Sequence, residues 1–130
     1  MNVPRELRYT STHEWVRIRG NIATVGITDY AQQQLSDITY VELPDKGDEV
    51  NASDEVAVVE SVKAASDVYA PLSGTIVEVN TRVLEEPELI NTDPYGEGWL
   101  FKIQFTDRDE LEDLLDADAY EEQLPQEEEE

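Results

Sequence analysis

Apolar residues in this chain recur at every second position or in short runs, a pattern that predicts strands far more than helices. Glu14–Arg19 and Ile22–Thr28 both alternate, and Gly20-Asn21 between them suits a two-residue hairpin turn. Pairing Arg19 with Ile22 sets Ile18 opposite Ala23 and Val16 opposite Val25, so one face is apolar on both strands. The same count puts Glu14 opposite Ile27, a carboxylate at the end of an apolar face. Glu14 either lines a cleft or simply ends its strand in water.

Val56–Ser61 and Thr75–Asn80 are rich in β-branched residues and read as strands. Asp67–Ala70 forms a shorter one between them, ending at Pro71, with Ser73-Gly74 as a turn. Ser61–Ser66 is left as the tip of a hairpin. Ile38–Leu43 is a further strand, stopped by Pro44 and turned by Asp45-Lys46-Gly47, and Asp48–Ser53 fits either a short strand or a loop. Trp99–Phe105 alternates, with Trp99, Phe101, Ile103 and Phe105 on one face.

Helical signals are few. Asp29-x-x-Gln32 resembles a capping pattern and opens a short helix through Leu35, while Asp107-x-x-Glu110 caps a helix with Leu111, Leu114 and Leu115 on one side. Residues before Tyr9 carry little pattern beyond a turn near Pro4. Thr81–Asp93 reads as a connection or irregular helix broken at Pro87, and Asp93-Pro94-Tyr95-Gly96 as a turn. About seven short strands at hairpin spacing predict a small, mostly antiparallel β barrel or sandwich. The 130 residues suit one domain, over 1–124, followed by a disordered acidic tail over 125–130.

Composition narrows the function. There are 31 acidic residues against 9 basic ones, a net charge of −22, which weighs against nucleic acid and anionic membranes as partners. Acids spread along the whole chain suggest a protein adapted to high salt, where self-repulsion is screened. Equal folded stability at very low and at molar salt would remove that suggestion. No apolar run is long enough to span a bilayer, and the first residues fit neither a signal peptide nor an import sequence, so a cytoplasmic protein is expected.

The usual catalytic constellations are absent from the sequence; a Ser/His/Asp set could be assembled from His13 and any of many serines and acids, but nothing selects one. There is no cysteine and a single histidine, His13, so neither C-x-x-C nor H-x-x-x-H can bind a metal. No calcium loop and no glycine-rich phosphate cradle occurs. His13 reads as a structural or interfacial residue, and Trp15, Trp99 and Phe101 as core or rim aromatics. Lys63, one of three lysines, stands out instead: it lies in the Ser61–Ser66 tip among Val62, Ala64 and Ala65, an apolar setting for a cation.

Glu60-Ser61-Val62-Lys63-Ala64, followed by Ser66-Asp67-Val68-Tyr69-Ala70-Pro71-Leu72-Ser73-Gly74, closely resembles the lipoyl attachment hairpin of the glycine cleavage system H proteins. The resemblance continues in His13-Glu14-Trp15-Val16, Val25-Gly26-Ile27-Thr28, Tyr40-Val41-Glu42-Leu43-Pro44, Pro87-Glu88-Leu89-Ile90-Asn91 and Asp93-Pro94-Tyr95-Gly96-Glu97-Gly98-Trp99. It runs from about Tyr9 to Tyr120 in the family's order. It implies the flattened β-sandwich of lipoyl and biotinyl carrier domains (a barrel-sandwich hybrid) with a short inserted helix and a C-terminal helix.

The family's role, carried over, makes the chain a non-catalytic shuttle with lipoate attached to Lys63. A pyridoxal-phosphate glycine decarboxylase would load an aminomethyl group on the arm. A tetrahydrofolate-dependent aminomethyltransferase would unload it, and an FAD-dependent dihydrolipoamide dehydrogenase would reoxidise the arm. A lipoate ligase or lipoyl transferase would attach it, with Glu60 and Asp67 implied as recognition residues, and the carrier would be a monomer. Glu14 matches a residue lining the cleft into which the loaded arm folds. Gln34 and Ser36 depart from a family pattern that often has histidine and glycine there, and glutamine cannot titrate near neutral pH. The competing readings are a donor of lipoate, a lipoyl domain serving 2-oxoacid dehydrogenases, and an acidic interaction module in which Lys63 is never modified.

Overall fold

The computed structural model describes residues 2–124. The expected tail over 125–130 lies outside the described residues. Among the described residues nine strands form two antiparallel sheets: β1 (Arg8–Tyr9), β2 (Glu14–Arg19), β3 (Ile22–Ile27), β4 (Ile38–Glu42), β5 (Glu49–Val50), β6 (Glu55–Ser61), β7 (Ala65–Tyr69), β8 (Gly74–Val79) and β9 (Phe101–Phe105). One sheet has six strands in the order β1-β2-β3-β9-β8-β5, and the other has three in the order β4-β6-β7. The mostly-β sandwich expected from the pattern is therefore present, as two facing sheets rather than a closed barrel.

The first hairpin follows the anticipated register at every pair, from Arg19↔Ile22 through Ile18↔Ala23 and Val16↔Val25 to Glu14↔Ile27. Its apolar face enters the larger core with Ile76, Phe101 and Ile103 of β8 and β9, and with Val59 and Val68 of the opposite sheet. Fully burying one such aliphatic side chain contributes roughly 1.5–3 kcal/mol. The other face of the six-stranded sheet carries a second, smaller core of Leu7, Tyr9, Trp15, Ala117 and Tyr120, all buried. Here a backbone is drawn close: a Cβ on Gly26 would sit 2.6 Å from Nε1 of Trp15, so only glycine fits beneath the indole.

Several boundaries differ from the sequence expectation, each for a local reason. The helix α1 (Asp29–Leu35) is capped by Thr28, whose hydroxyl accepts from Ala31 N–H, so Asp29 stands inside the helix and its carboxylate takes the amide of Gln32 instead. Thr28 is therefore a cap and not the last residue of β3. Trp99 does not join the β9 face: Leu100 is the buried residue there and donates its N–H to Val25 O, leaving Trp99 half-buried against the second core. The 81–93 connection holds two single-turn helices, α2 (Arg82–Glu85) and α3 (Leu89–Thr92).

The final helix is two pieces. Asp107 opens a 3-10 helix at Arg108–Asp113, while Glu110, expected as its capping partner, accepts from the N–H and hydroxyl of Ser73. The chain then extends, Leu115 bridges Tyr9, and Asp116 caps α4 (Ala117–Gln123). Leu7 and Tyr9 are buried by this return, which explains why the region before Tyr9 looked unpatterned: its partners lie more than a hundred residues away. Among the described residues no helix is long and apolar enough to cross a membrane.

Candidate functional site

Lys63 is held at the end of the β6–β7 hairpin. Glu60 pairs with Ala65, and Ser61 N–H donates to Ala64 O at 2.8 Å, so Val62 and Lys63 are the two central residues of the turn. The expected Ser61–Ser66 tip is narrower than its sequence suggested because β7 begins at Ala65. Neither Val62 nor Lys63 has a positive φ, so this is not one of the primed turns that match strand twist in two-residue hairpins. Ser61 compensates: its Oγ accepts from the N–H groups of both Lys63 and Ala64 at 3.1 Å. Lys63 is exposed, and Val62 beside it is 86 % exposed.

Glu60 and Asp67 lie in register positions that share the outer face of the three-stranded sheet, through the pairs Tyr40↔Glu60↔Ala65 and Val58↔Asp67. Between this hairpin and α1 is a cleft of about 120 Å³. Ile27, Leu35 and Val59 supply apolar wall, and Glu14, His13 and Gln34 supply polar atoms.

Glu14 is buried, with 1 % exposure, which rules out the simple end-of-strand charge in water. Its Oε1 accepts from the hydroxyls of Thr10 and Thr12, and its Oε2 accepts from Tyr69 N–H at 3.0 Å. A buried carboxylate is tolerated when its lone pairs are met in this way. The threonines escaped the sequence reading because Thr10–His13 is a turn, closed by His13 N–H on Thr10 O, where strand alternation does not apply.

His13 has a φ of 77°, and its Nδ1 lies 2.8 Å from Tyr120 Oη, which in turn lies 2.7 Å from Thr28 Oγ1. Burial holds the imidazole pKa below its ordinary value. Burial raises the Tyr120 phenol. The titratable ring in the cleft thus comes from β2's approach, and Gln34 adds an amide from α1. Trp15 and Phe101 are fully buried core residues, as expected.

Residues 7–127 match the family model described as glycine cleavage H-protein. The chain belongs to that family. It is 62 % identical over 120 residues to the glycine cleavage system H protein of Thermotoga maritima, spanning 92 % of this chain and 97 % of the relative. It is 59 % identical over 124 residues to the H protein of Methylacidiphilum infernorum, spanning 95 % and 97 %. A solved structure, a glycine cleavage system H protein from Mycobacterium marinum, superposes with a TM-score of 0.83 at 41 % identity, covering 93 % of this chain and 98 % of that one.

The H-protein blocks outside the hairpin position α1 and hence the cleft wall. Asn91 accepts from Ile38 N–H at 2.9 Å and donates to Gln32 Oε1 and Ser36 O, joining α3, α1 and β4. Pro94 O accepts from the Trp15 indole at 2.9 Å. Tyr95 Oη accepts from Asp29 N–H at 2.9 Å and donates to Asn2 O, fixing the helix start.

Proposed function

We propose that this H-family protein is the lipoyl-bearing carrier of the glycine cleavage system, a single domain over residues 1–124 with lipoate in amide linkage to Nζ of Lys63. One observation carries the reading: Lys63 stands exposed in the two-residue turn that ends a pinned hairpin. A ligase or lipoyl transferase can reach an amine so placed, and acylation removes a cation from a setting of Val62, Ala64 and Ala65. The mixed lining of the neighbouring cleft, apolar at Ile27, Leu35 and Val59 and polar at His13, Glu14 and Gln34, suits an arm with a hydrocarbon stem and a polar end.

A lipoyl group held on Lys63 would supply redox-active sulfur able to carry an aminomethyl group between a pyridoxal-phosphate glycine decarboxylase and a tetrahydrofolate-dependent aminomethyltransferase, with an FAD-dependent dihydrolipoamide dehydrogenase to reoxidise it. The protein's own residues present and shelter; none performs catalysis. Ser61 fixes the direction in which the lysine leaves the hairpin. Glu14, held by Thr10 and Thr12, sets an acceptor at the cleft for a donor group on the arm. Glu60 and Asp67 offer a ligase two carboxylates on one face of the hairpin. The carrier works as a cytoplasmic monomer in this reading.

The test is glycine-dependent reduction of the arm in the reconstituted system. Lys63→Arg preserves charge and abolishes the reduction. Full activity in that variant overturns the proposal.

A further inference from the structure

The edge of the six-stranded sheet carries a feature that the carrier role does not use. β1 is the outermost named strand; its two residues pair with Val16 and Trp15 on one side, and Tyr9 bridges Leu115 on the other, so the uncovered part of this edge lies beyond β1. The hydrogen-bonded pairs of this edge fall at Glu14 and Val16, since Thr10 N–H donates to Glu14 O. The next outward-facing backbone groups are therefore the N–H and C=O of Ile18, which lie beyond the end of β1.

Beside this open stretch is a groove of about 650 Å³, lined by Arg8, Arg17, Arg19 and Arg108 with Glu6 and Leu111 among the rest. Four of the chain's six arginines meet here, in a protein with 31 acids. Among the described residues the ion pairs fall on Arg5, Arg82 and Lys102, and none on these four. Arg17 donates to Tyr95 O at 2.9 Å and lies over Trp15, and Arg108 donates to Gly20 O at 3.3 Å. Arg8 and Arg19 are exposed.

Charges on an open edge also discourage strand-to-strand aggregation. That role is met by either sign, and most other exposed charges among the described residues are negative, the exposed cations elsewhere being Arg5, Lys46, Lys63 and Arg82. The choice of arginine asks for a complementary anion, and the free backbone groups of Ile18 ask for an extended chain. From Arg8, opposite Val16, to Arg108, beside Gly20, the edge spans four residues of β2 and its turn, or about 13 Å of strand.

We propose that this edge docks an extended acidic segment of a partner protein, which adds a short strand beside Ile18 and places its carboxylates on Arg8, Arg19 and Arg108. The surface belongs to the six-stranded sheet, whereas Lys63 is on the three-stranded one, so docking leaves the arm free. The inference stands on the edge and its arginines and is independent of what Lys63 carries.

The test is an amide-resolved NMR titration of the full chain with a capped peptide of alternating Glu and Val. The shifts are expected at Ile18, Arg8, Arg19 and Arg108, with increased exchange protection of the Ile18 amide. The doubly substituted Arg8→Glu, Arg19→Glu protein binds about tenfold more weakly or worse. A second probe leaves the protein unaltered: a peptide N-methylated on the edge-facing nitrogens loses affinity to a similar extent. Equal binding of the methylated peptide or of inorganic phosphate means a point-charge site only. Tighter binding of single-stranded DNA than of the peptide means a nucleic-acid surface. Shifts at the groove on deleting residues 125–130, without any peptide, mean that the chain's own acidic end sits there. Each of these results overturns the proposal.

Discussion

Glu14 Oε2 accepts the backbone N–H of Tyr69 at 3.0 Å, so a carboxylate from the first hairpin holds the foot of the hairpin that bears Lys63. Glu14 also collects the Thr10 and Thr12 hydroxyls on its other oxygen, which makes it a joint between the two sheets as well as a cleft residue. Glu14→Ala empties a buried position and takes the shared acceptor from two part-buried donors, Thr10 and Tyr69, and from the exposed Thr12, and should cost about 2–3 kcal/mol. Glu14→Gln keeps the shape and one acceptor and should cost about half as much. Urea denaturation of the two variants checks the order; equal stability of Glu14→Ala and the wild type contradicts it.

Ser61 is the side chain that makes a glycine-free two-residue turn possible, through its bonds to Lys63 and Ala64 N–H. Ser61→Ala removes both and should destabilise the turn by roughly 1 kcal/mol, while Ser61→Thr retains the acceptor. The expected readout is amide exchange about fivefold to tenfold faster at Lys63 and Ala64, with core amides unaffected.

The contrast between what the sequence disclosed and what it hid follows contact range. The Gly20-Asn21 hairpin was legible pair by pair, because a short turn fixes register and one-residue slips expose Val16 and Val25. The Lys63 hairpin was legible as two strands about a tip, but the tip was drawn too wide, because Ala65 and Ser66 carry little strand signal and join β7 only through pairing with β6. Local propensity failed where a distant contact claimed a residue: Glu110 looked like a helix partner for Asp107 but is drawn to Ser73, and Leu7 and Tyr9 looked unpatterned because α4 buries them. The site was half visible. Lys63 and Glu14 were marked by pattern, whereas the Thr10, Thr12 and Tyr120 partners depend on a loop geometry that periodicity does not encode.

Ser36 ends α1 with φ 67° and ψ −150°, a backbone region that costs a residue with a Cβ about 1–3 kcal/mol and suits glycine. Ser36→Gly should therefore stabilise the protein by about 1 kcal/mol, less a little for added freedom in the unfolded chain, and raise Tm by roughly 3–6 °C. Calorimetry reads this directly. A fall in Tm would show that the serine side chain holds the cap.

His13 has its pKa lowered by burial, so the unfolded chain takes up the proton first as pH falls. Its contribution is complete above the unfolded value of about 6.5 and is lost as pH drops from there toward the folded value. His13→Gln removes this dependence, so the stability difference between wild type and variant should shrink or reverse between about pH 7 and pH 5. Comparing the two proteins at each pH cancels the titration of the many carboxylates they share. A constant difference across that range would show that His13 titrates alike in both states.

The central claim is that one lysine out of three is chosen because of where the hairpin holds it. The measurement is the intact mass of the protein purified from lipoate-producing cells, followed by fragmentation mapping. The account predicts a single lipoyl adduct, on Lys63, with Lys46 and Lys102 unmodified. An unmodified Lys63 in those cells, or an adduct on either other lysine, contradicts it.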